Sequence, residues 1–271
     1  MIEEHLRDWR PGPLVEHDAM PAGPARALAA VLDLPGPVGE ELPPLWHWLY
    51  FLDWRPQREL GEDGHPRGGG FLPPIPQRRR MFAGGAVTVH RPLLLGEPAE
   101  RASRLARVAV KQGGTGELAF VTVIGEVRQG GRPCVTEEQQ LVYRSALGER
   151  PRAFELSRDE PGPSEAPWQT RPELTSTLLF RFSALTANGH RIHYDEPYAR
   201  QVEGYPGLVV HGPLLALLMS ELARRHRPVT ALRYRLLRPV FAGDRVLVAG
   251  GADELAVTSA GGHRHAEMTL S

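Results

Sequence analysis

His211-Gly212-Pro213-Leu214-Leu215-Ala216-Leu217-Leu218-Met219-Ser220-Glu221-Leu222-Ala223-Arg224 is the stretch on which the fold turns. Proline near its start suits the first turn of a helix, where the backbone N–H has no partner to lose. Leu214, Leu215, Leu217, Leu218, Met219 and Leu222 then leave almost no polar face. A helix that is apolar all round belongs inside a fold, wrapped by other elements. Strand-like runs follow it, Val229 to Leu237, Arg245 to Ala249 and His263 to Leu270, and Thr177 to Ser183 reads as another strand ahead of it.

Working toward the N-terminus, a similar order of elements recurs. Pro43-Pro44 opens Leu45-Trp46-His47-Trp48-Leu49-Tyr50-Phe51-Leu52, again apolar on nearly every face, which predicts a second buried helix. Pro24 to Leu32 is a shorter helix-like piece. Ala86 to His90, Ser103 to Lys111, Leu118 to Val127 and Val135 to Arg144 are strand-like, with Gly113-Gly114-Thr115-Gly116 and Gln129-Gly130-Gly131 as hairpin turns. Residues 147–172, with Pro151, Pro161, Pro163, Pro167 and Pro172, read as a linker between units 1–146 and 173–271. An antiparallel sheet curled around one long apolar helix is the hot-dog arrangement, and 271 residues have room for two. The expected fold is therefore α+β, a double hot-dog with two antiparallel sheets, each wrapped around a long apolar helix. Element order alone leaves a generic pair of α+β domains open.

Composition narrows the partners. Thirty-two basic and 32 acidic residues balance, so nothing global points to nucleic acid or to an anionic membrane. The longest apolar run is far short of a membrane span. The start, Met1-Ile2-Glu3-Glu4-His5, is acidic where a targeting peptide needs cations. One cysteine, Cys134, cannot form an intrachain disulfide and reads as a small buried apolar residue. Together these give the expectation of a cytoplasmic protein.

Two segments carry chemistry: Ser183-Ala184-Leu185-Thr186-Ala187-Asn188-Gly189-His190-Arg191-Ile192-His193-Tyr194-Asp195-Glu196-Pro197, and Glu203-Gly204-Tyr205-Pro206-Gly207-Leu208-Val209-Val210-His211-Gly212-Pro213. They resemble the MaoC-like, hydratase-2 type enoyl-thioester hydratases and dehydratases. More narrowly the chain resembles their double-hot-dog branch, which includes mesaconyl-CoA and itaconyl-CoA hydratases and mitochondrial 3-hydroxyacyl-thioester dehydratases. The N-terminal half shares in the likeness through Pro43-Pro44-Leu45-Trp46-His47-Trp48, Asp63-Gly64-His65-Pro66 and Arg79-Arg80-Met81-Phe82-Ala83-Gly84-Gly85. The resemblance implies reversible hydration of an α,β-unsaturated acyl-CoA thioester, including short branched dicarboxylic ones. It places the water-handling pair at Asn188 and His193. The family's usual residue at the first position is Asp, and a Pro stands where this chain has Arg191.

That departure has a chemical consequence. Addition of water needs a base for the water's proton and a proton for the α-carbon. An amide cannot titrate, so Asn188 can only aim the water and the titrating work falls on His193, whose ordinary pKa near 6.5 suits it. Asn188-Gly189 reads as a turn at the end of a strand. Asp195 before Glu196-Pro197 reads as a helix cap. His190 lies on the same turn, as a turn-holding or substrate-binding residue, and His211 precedes the helix. Gly212 at the helix start is the natural N–H donor to the thioester carbonyl. Candidates for the CoA phosphates are Arg78, Arg79 and Arg80, and Arg233, Arg235 and Arg238 in a late strand. No metal or cofactor is expected. Gly68-Gly69-Gly70 runs into Phe71-Leu72-Pro73-Pro74 rather than a helix, and His263 and His265 alternate as solvent-facing strand residues would. A hot-dog thioesterase and a non-catalytic acyl-CoA-binding subunit are the competing readings. A homodimer is open, since a double hot-dog already contains the pair that single ones form by dimerising.

Overall fold

The computed structural model describes residues 1–69, 71–76, 78–113, 116–145 and 154–271. Part of the expected linker and the middle of the turn at 113–116 lie outside them. The N-terminal elements are α1 (Ile2–Leu6), β1 (Leu14–Asp18), α2 (Ala22–Val31), β2 (Glu41–Leu42), β3 (Arg78–Val89), β4 (Leu93–Leu94), β5 (Ala99–Gly113), β6 (Gly116–Gln129) and β7 (Arg132–Ser145). The C-terminal ones are β8 (Trp168–Thr170), α3 (Ser176–Leu185), α4 (Glu196–Gln201), α5 (Gly212–Arg224), β9 (Ala231–Leu236), β10 (Leu247–Gly250), β11 (Glu254–Thr258) and β12 (Arg264–Leu270).

Ten strands form one antiparallel sheet in the order β1-β5-β6-β7-β3-β9-β12-β11-β10-β8, and β2 and β4 pair apart from it. Outward from the central pair β3–β9, both halves lay down their strands in the same sequence order. The expected pair of sheets is thus joined edge to edge through β3 and β9. Glycines permit the seam. Gly84 sits at a bulge with φ +155, and a Cβ there would overlap the Tyr234 carbonyl oxygen. A Cβ on Gly85 would lie 2.6 Å from the Tyr234 hydroxyl.

α5 is the long buried helix that the Leu-rich run promised. Leu214, Leu215, Ala216, Leu217, Met219 and Leu222 are all buried, against β8, β10, β11, β12 and β3. Each such Leu or Met contributes roughly 1.5–3 kcal/mol of burial. The matching helix expected at 45–52 does not form. Trp46–Leu49 is a single 3-10 turn, entered through Leu45 at φ +71 and left shortly before Phe51 at φ +56. Polar tips on the aromatic residues explain it. Trp46 Nε1 donates to Glu221 (2.8 Å), Trp48 Nε1 to Glu137 (2.7 Å), His47 Nε2 pairs with Glu137 (3.1 Å), and the Tyr50 hydroxyl donates to the Pro21 carbonyl (2.9 Å). Buried polar tips must be satisfied, and these partners are spread over three separate parts of the chain, Pro21, Glu137 and Glu221.

Thr177 to Ser183 was the reverse error: it is the helix α3, not a strand. Thr175 caps it, its Oγ1 accepting from Leu178 N (3.1 Å), and Leu179, Phe182 and Ser183 face inward at helical spacing. His265 also departs from expectation. It is buried, bonded to Ser259 Oγ (2.9 Å) and the Pro239 carbonyl (3.0 Å), while His263 is exposed beside Arg238. β1, β8 and β11 were not legible as strands. Cys134 is buried, as read.

Candidate active site

α3 ends in a Schellman motif: Asn188 N–H donates to the Ser183 carbonyl (2.9 Å) across Ala187 at φ +49. This reversal throws the chain into the 3-10 turn Arg191–His193 and points the 188–193 segment toward the start of α5. So the turn expected at a strand end is a helix C-terminus. Asn188 and the buried His193 are thus held on one short reversal.

His193 is buried, and its Nδ1 lies 2.7 Å from the Val209 carbonyl oxygen. A carbonyl only accepts, so Nδ1 carries the proton and Nε2 is left with a free lone pair. Burial pushes the His193 pKa down to about 4, against the lift from that hydrogen bond. Asn188 Oδ1 accepts from the His190 backbone N–H (3.1 Å), which leaves the amide NH2 to donate to a ligand.

The histidines form a row. The His193 ring stacks on His211 (centroids 3.7 Å, 18°), and His190 meets His193 edge-on (5.5 Å, 89°) and His65 at 4.0 Å. Burial, then the neighbouring imidazoles, hold the pKa of His190 and His211 well below the ordinary value. His211 Nε2 lies 2.9 Å from Ser183 Oγ, and its Nδ1 is buried without a partner among the described residues. Gly212 opens α5, where first-turn amides have no intrahelical acceptor. A Cβ on Gly212 would run into Leu236 Cδ1, so a larger residue there would require the Leu236 side chain to shift. Asp195 does cap α4, accepting from Tyr198 N (3.1 Å), and Arg191 binds its other oxygen (2.7 Å).

The arginines separate. Arg78 donates to the carbonyls of Pro73 (2.8 Å), Arg67 (3.2 Å) and Pro66 (3.4 Å), and so ties the 66–73 loop together. Arg79 pairs with Glu203 (3.0 Å). Arg80 is exposed, and its charge acts on His65, His190 and His193. Arg233 and Arg235 alternate on β9 with buried Leu232 and Tyr234, hence point away from α5, and Arg235 pairs with Glu267 (2.9 Å).

Sequence reasoning placed Asp63 and His65 in a segment shared with the family but gave them no role in the site. Both carboxylate oxygens of Asp63 bind His65: Oδ1 accepts from its backbone N–H (3.0 Å) and Oδ2 from its ring Nδ1–H (3.0 Å). Asp63, His65 and His190 bring potential metal-ligand atoms within 4.8 Å of one another. The signal was present in Asp63-Gly64-His65, a carboxylate and an imidazole across a glycine.

Comparisons with known proteins identify the family. The family described as hydroxyacyl-thioester dehydratase type 2 matches residues 45–242. A mesaconyl-C(4)-CoA hydratase of Chloroflexus aurantiacus is 46% identical over 252 residues, 88% of this chain and 87% of that one. A mitochondrial hydroxyacyl-thioester dehydratase type 2 of Schizosaccharomyces pombe is 28% identical over 231 residues, 75% of each chain. Among solved structures, a MaoC-like dehydratase of Phytophthora capsici superposes with a TM-score of 0.68 at 12% identity, covering 99% of this chain and 98% of that one. At that identity the likeness speaks for the hot-dog fold alone.

Proposed function

The chain belongs to the hydroxyacyl-thioester dehydratase type 2 family, and from that premise we propose that Asn188, His193 and Gly212 carry out the reversible hydration of an enoyl-CoA thioester. The observation that carries this reading is the tautomer of His193. With Nδ1–H fixed on the Val209 carbonyl, Nε2 is the atom able to take a proton from water. Asn188, its Oδ1 engaged, donates an amide hydrogen to the water oxygen and so aims a lone pair at the β-carbon. Gly212 N–H at the α5 terminus stabilises the enolate oxygen, a role often worth ~3 kcal/mol.

The acyl group in this proposal is a short branched dicarboxylic one, of the kind the 46%-identical relative is named for. Arg80, a cation beside the histidine row, suits a substrate carboxylate or a CoA phosphate. The N-terminal half, residues 1–146, shapes the acyl pocket. No helix among the described residues is long and apolar enough to cross a membrane. The cytoplasm suits the lone buried Cys134.

The test is turnover of mesaconyl-C(4)-CoA and crotonyl-CoA, followed as loss of the double bond, alongside free-thiol release. Hydration without thiol release is the expected result. Thiol release instead would make the protein a thioesterase, and neither would make it a binding subunit.

A further inference from the structure

We propose that His65, oriented by Asp63, is a further catalytic residue of this site, dividing the two proton transfers of the addition with His193. The proposal rests on the hydratase reading above. Asn188 has no ionisable group, so without another residue His193 must both take the water's proton and supply the α-carbon. The N-terminal half brings a candidate to that spot and clamps it there. Arg191 N–H donates to the Asp63 carbonyl (2.9 Å), and Arg191 Nη1 to the Glu62 carbonyl (3.1 Å). Two glycines let the backbones touch. A Cβ on Gly64, itself at φ +85, would overlap the Gly189 carbonyl, and one on Gly189 would lie 2.8 Å from the Gly64 oxygen. No side chain fits on either side, so the 62–65 loop docks on the motif in one register.

Within that clamp the Asp63 carboxylate spends both oxygens on His65, and the His65 ring lies 4.0 Å from His190, the next ring along from His193. The two active histidines then differ in backing. His193 Nδ1–H rests on a neutral carbonyl, which offers little to a positive charge. His65 Nδ1–H rests on a carboxylate, which favours a second proton on Nε2; burial, joined by the charges of Arg80 and Arg78, outweighs it and holds the ring below the ordinary pKa, so the protonated form is a strong acid toward the α-carbon. In hydration, an O–H bond of water breaks, its proton passes to His193 Nε2 and its oxygen bonds to the β-carbon. The double-bond electrons move onto the thioester oxygen. As they return, the α-carbon takes the proton from Nε2 of protonated His65. His193 ends one proton richer and His65 one poorer, and exchange with solvent restores both. Dehydration runs the same steps backward, with neutral His65 as the base.

A divalent ion bridging Asp63, His65 and His190 is the other use of this cluster. The Asp63–His65 hydrogen bond already joins two of the three groups, and the charges of Arg80 and Arg78 both act on His65, which disfavours a dication.

The experiment is steady-state kinetics of the full chain on the enoyl-CoA it hydrates, for the wild type, His65→Ala and Asp63→Asn, with thermal melts, imidazole added back, and EDTA treatment. His65→Ala is expected to lower kcat by about 10²-fold, within the range for losing a general acid or base, with KM little changed. Imidazole should restore turnover saturably. Asp63→Asn should show a smaller loss at unchanged melting temperature. An active His65→Ala enzyme overturns the assignment while leaving the hydratase reading intact. A loss that imidazole cannot rescue, with a lowered melting temperature, overturns it in favour of a purely structural latch. Activity removed by EDTA and restored by Zn²⁺ overturns it in favour of a metal. A wild type inert on every enoyl thioester overturns the hydratase reading and this assignment with it.

Discussion

The two halves of the sheet are built to one plan and finished differently. β1, β3 and β5–β7 take the same relative positions as β8, β9 and β10–β12. α2 and α3 follow the outermost strand in each half and pack on each other. Before the central strand, the C-terminal half inserts the thirteen-residue α5, whereas the N-terminal half has, among the described residues, the short 3-10 turns Trp46–Leu49 and Gln57–Glu59. A helix N-terminus supplies directed N–H groups, and His211 and Gly212 stand on one. The N-terminal half has no equivalent, and contributes a loop, 61–66, clamped onto its partner's motif. Duplication of a fold need not duplicate a site.

The most severe way to break the comparison is to remove the proposed base of the C-terminal half. His193→Ala should lower kcat by about 10²–10⁴-fold and leave the fold intact, as steady-state rates and circular dichroism would show. An active variant would move the base to another member of the row.

The next test strikes the N-terminal substitute for a helix. Glu137 is buried, and both its oxygens are used, by His47 and Trp48. Burial pushes its pKa up, but the charge interaction with His47, joined by the hydrogen bonds, outweighs it and holds the carboxyl below the usual range. Glu137→Leu strands both donors and should cost roughly 3 kcal/mol by urea unfolding, the scale for breaking a buried pair. No measurable loss would mean the turn at 46–49 is held by apolar packing alone.

Gly64→Ala tests the contact between the halves. Its Cβ must push the loop off Gly189, and misplacement by an ångström can cost about 10²-fold in rate. The expected signature is a fall in kcat larger than the fall in stability warrants. Unchanged turnover would show that the clamp does not position the site.

Acid should unsettle the C-terminal half first. His193 titrates near 6.5 when unfolded and at about 4 when folded. Between those values the unfolded chain binds the extra proton and the folded one does not, so stability falls as pH drops through that window. The loss from this residue is at most of order 3 kcal/mol, at about 1.4 per pKa unit. His193→Gln should flatten the stability–pH curve there; parallel curves for the two proteins would contradict the burial account.

How much of this could be read from the sequence depended on whether the signal was local. The α5 run was legible because six large apolar residues in twelve positions have one physical solution. The Asn188/His193 pair was proposed from the resemblance of its motif to the hydratase family, a signal that is also local. Residues 45–52 carried an equally apolar pattern, yet partners at Pro21, Glu137 and Glu221 decided its backbone, and no local pattern encodes them. α3 was misread for want of weighing Thr175 as a cap. Asp63 and His65 were passed over because their meaning depends on Gly189 and His190, far along the chain.

The smallest effect lies where the halves are most alike. α2 and α3 both end in a Schellman reversal: Leu34 N–H donates to the Ala29 carbonyl (2.9 Å) across Asp33, and Asn188 N–H to the Ser183 carbonyl (2.9 Å) across Ala187. Asp33 and Ala187 share φ +49. Leu34 in one half and Asn188 in the other thus occupy the same place in the motif, Leu34 packed against the core and Asn188 assigned to the water by the proposal above. The left-handed region costs an L-residue roughly 1–2 kcal/mol, which Asp tolerates better than Ala. Glycine removes that strain but gives back about 0.5–1 kcal/mol in unfolded-state entropy. Ala187→Gly should therefore raise stability by a few tenths of a kcal/mol to about 1 kcal/mol, and Asp33→Gly should change it less. Because the backbone angles are kept, kcat should stay with the wild type. A stabilised but slow Ala187→Gly enzyme would show that strain at this reversal holds Asn188 in place, and that the C-terminal half gives up stability for it where the N-terminal half does not.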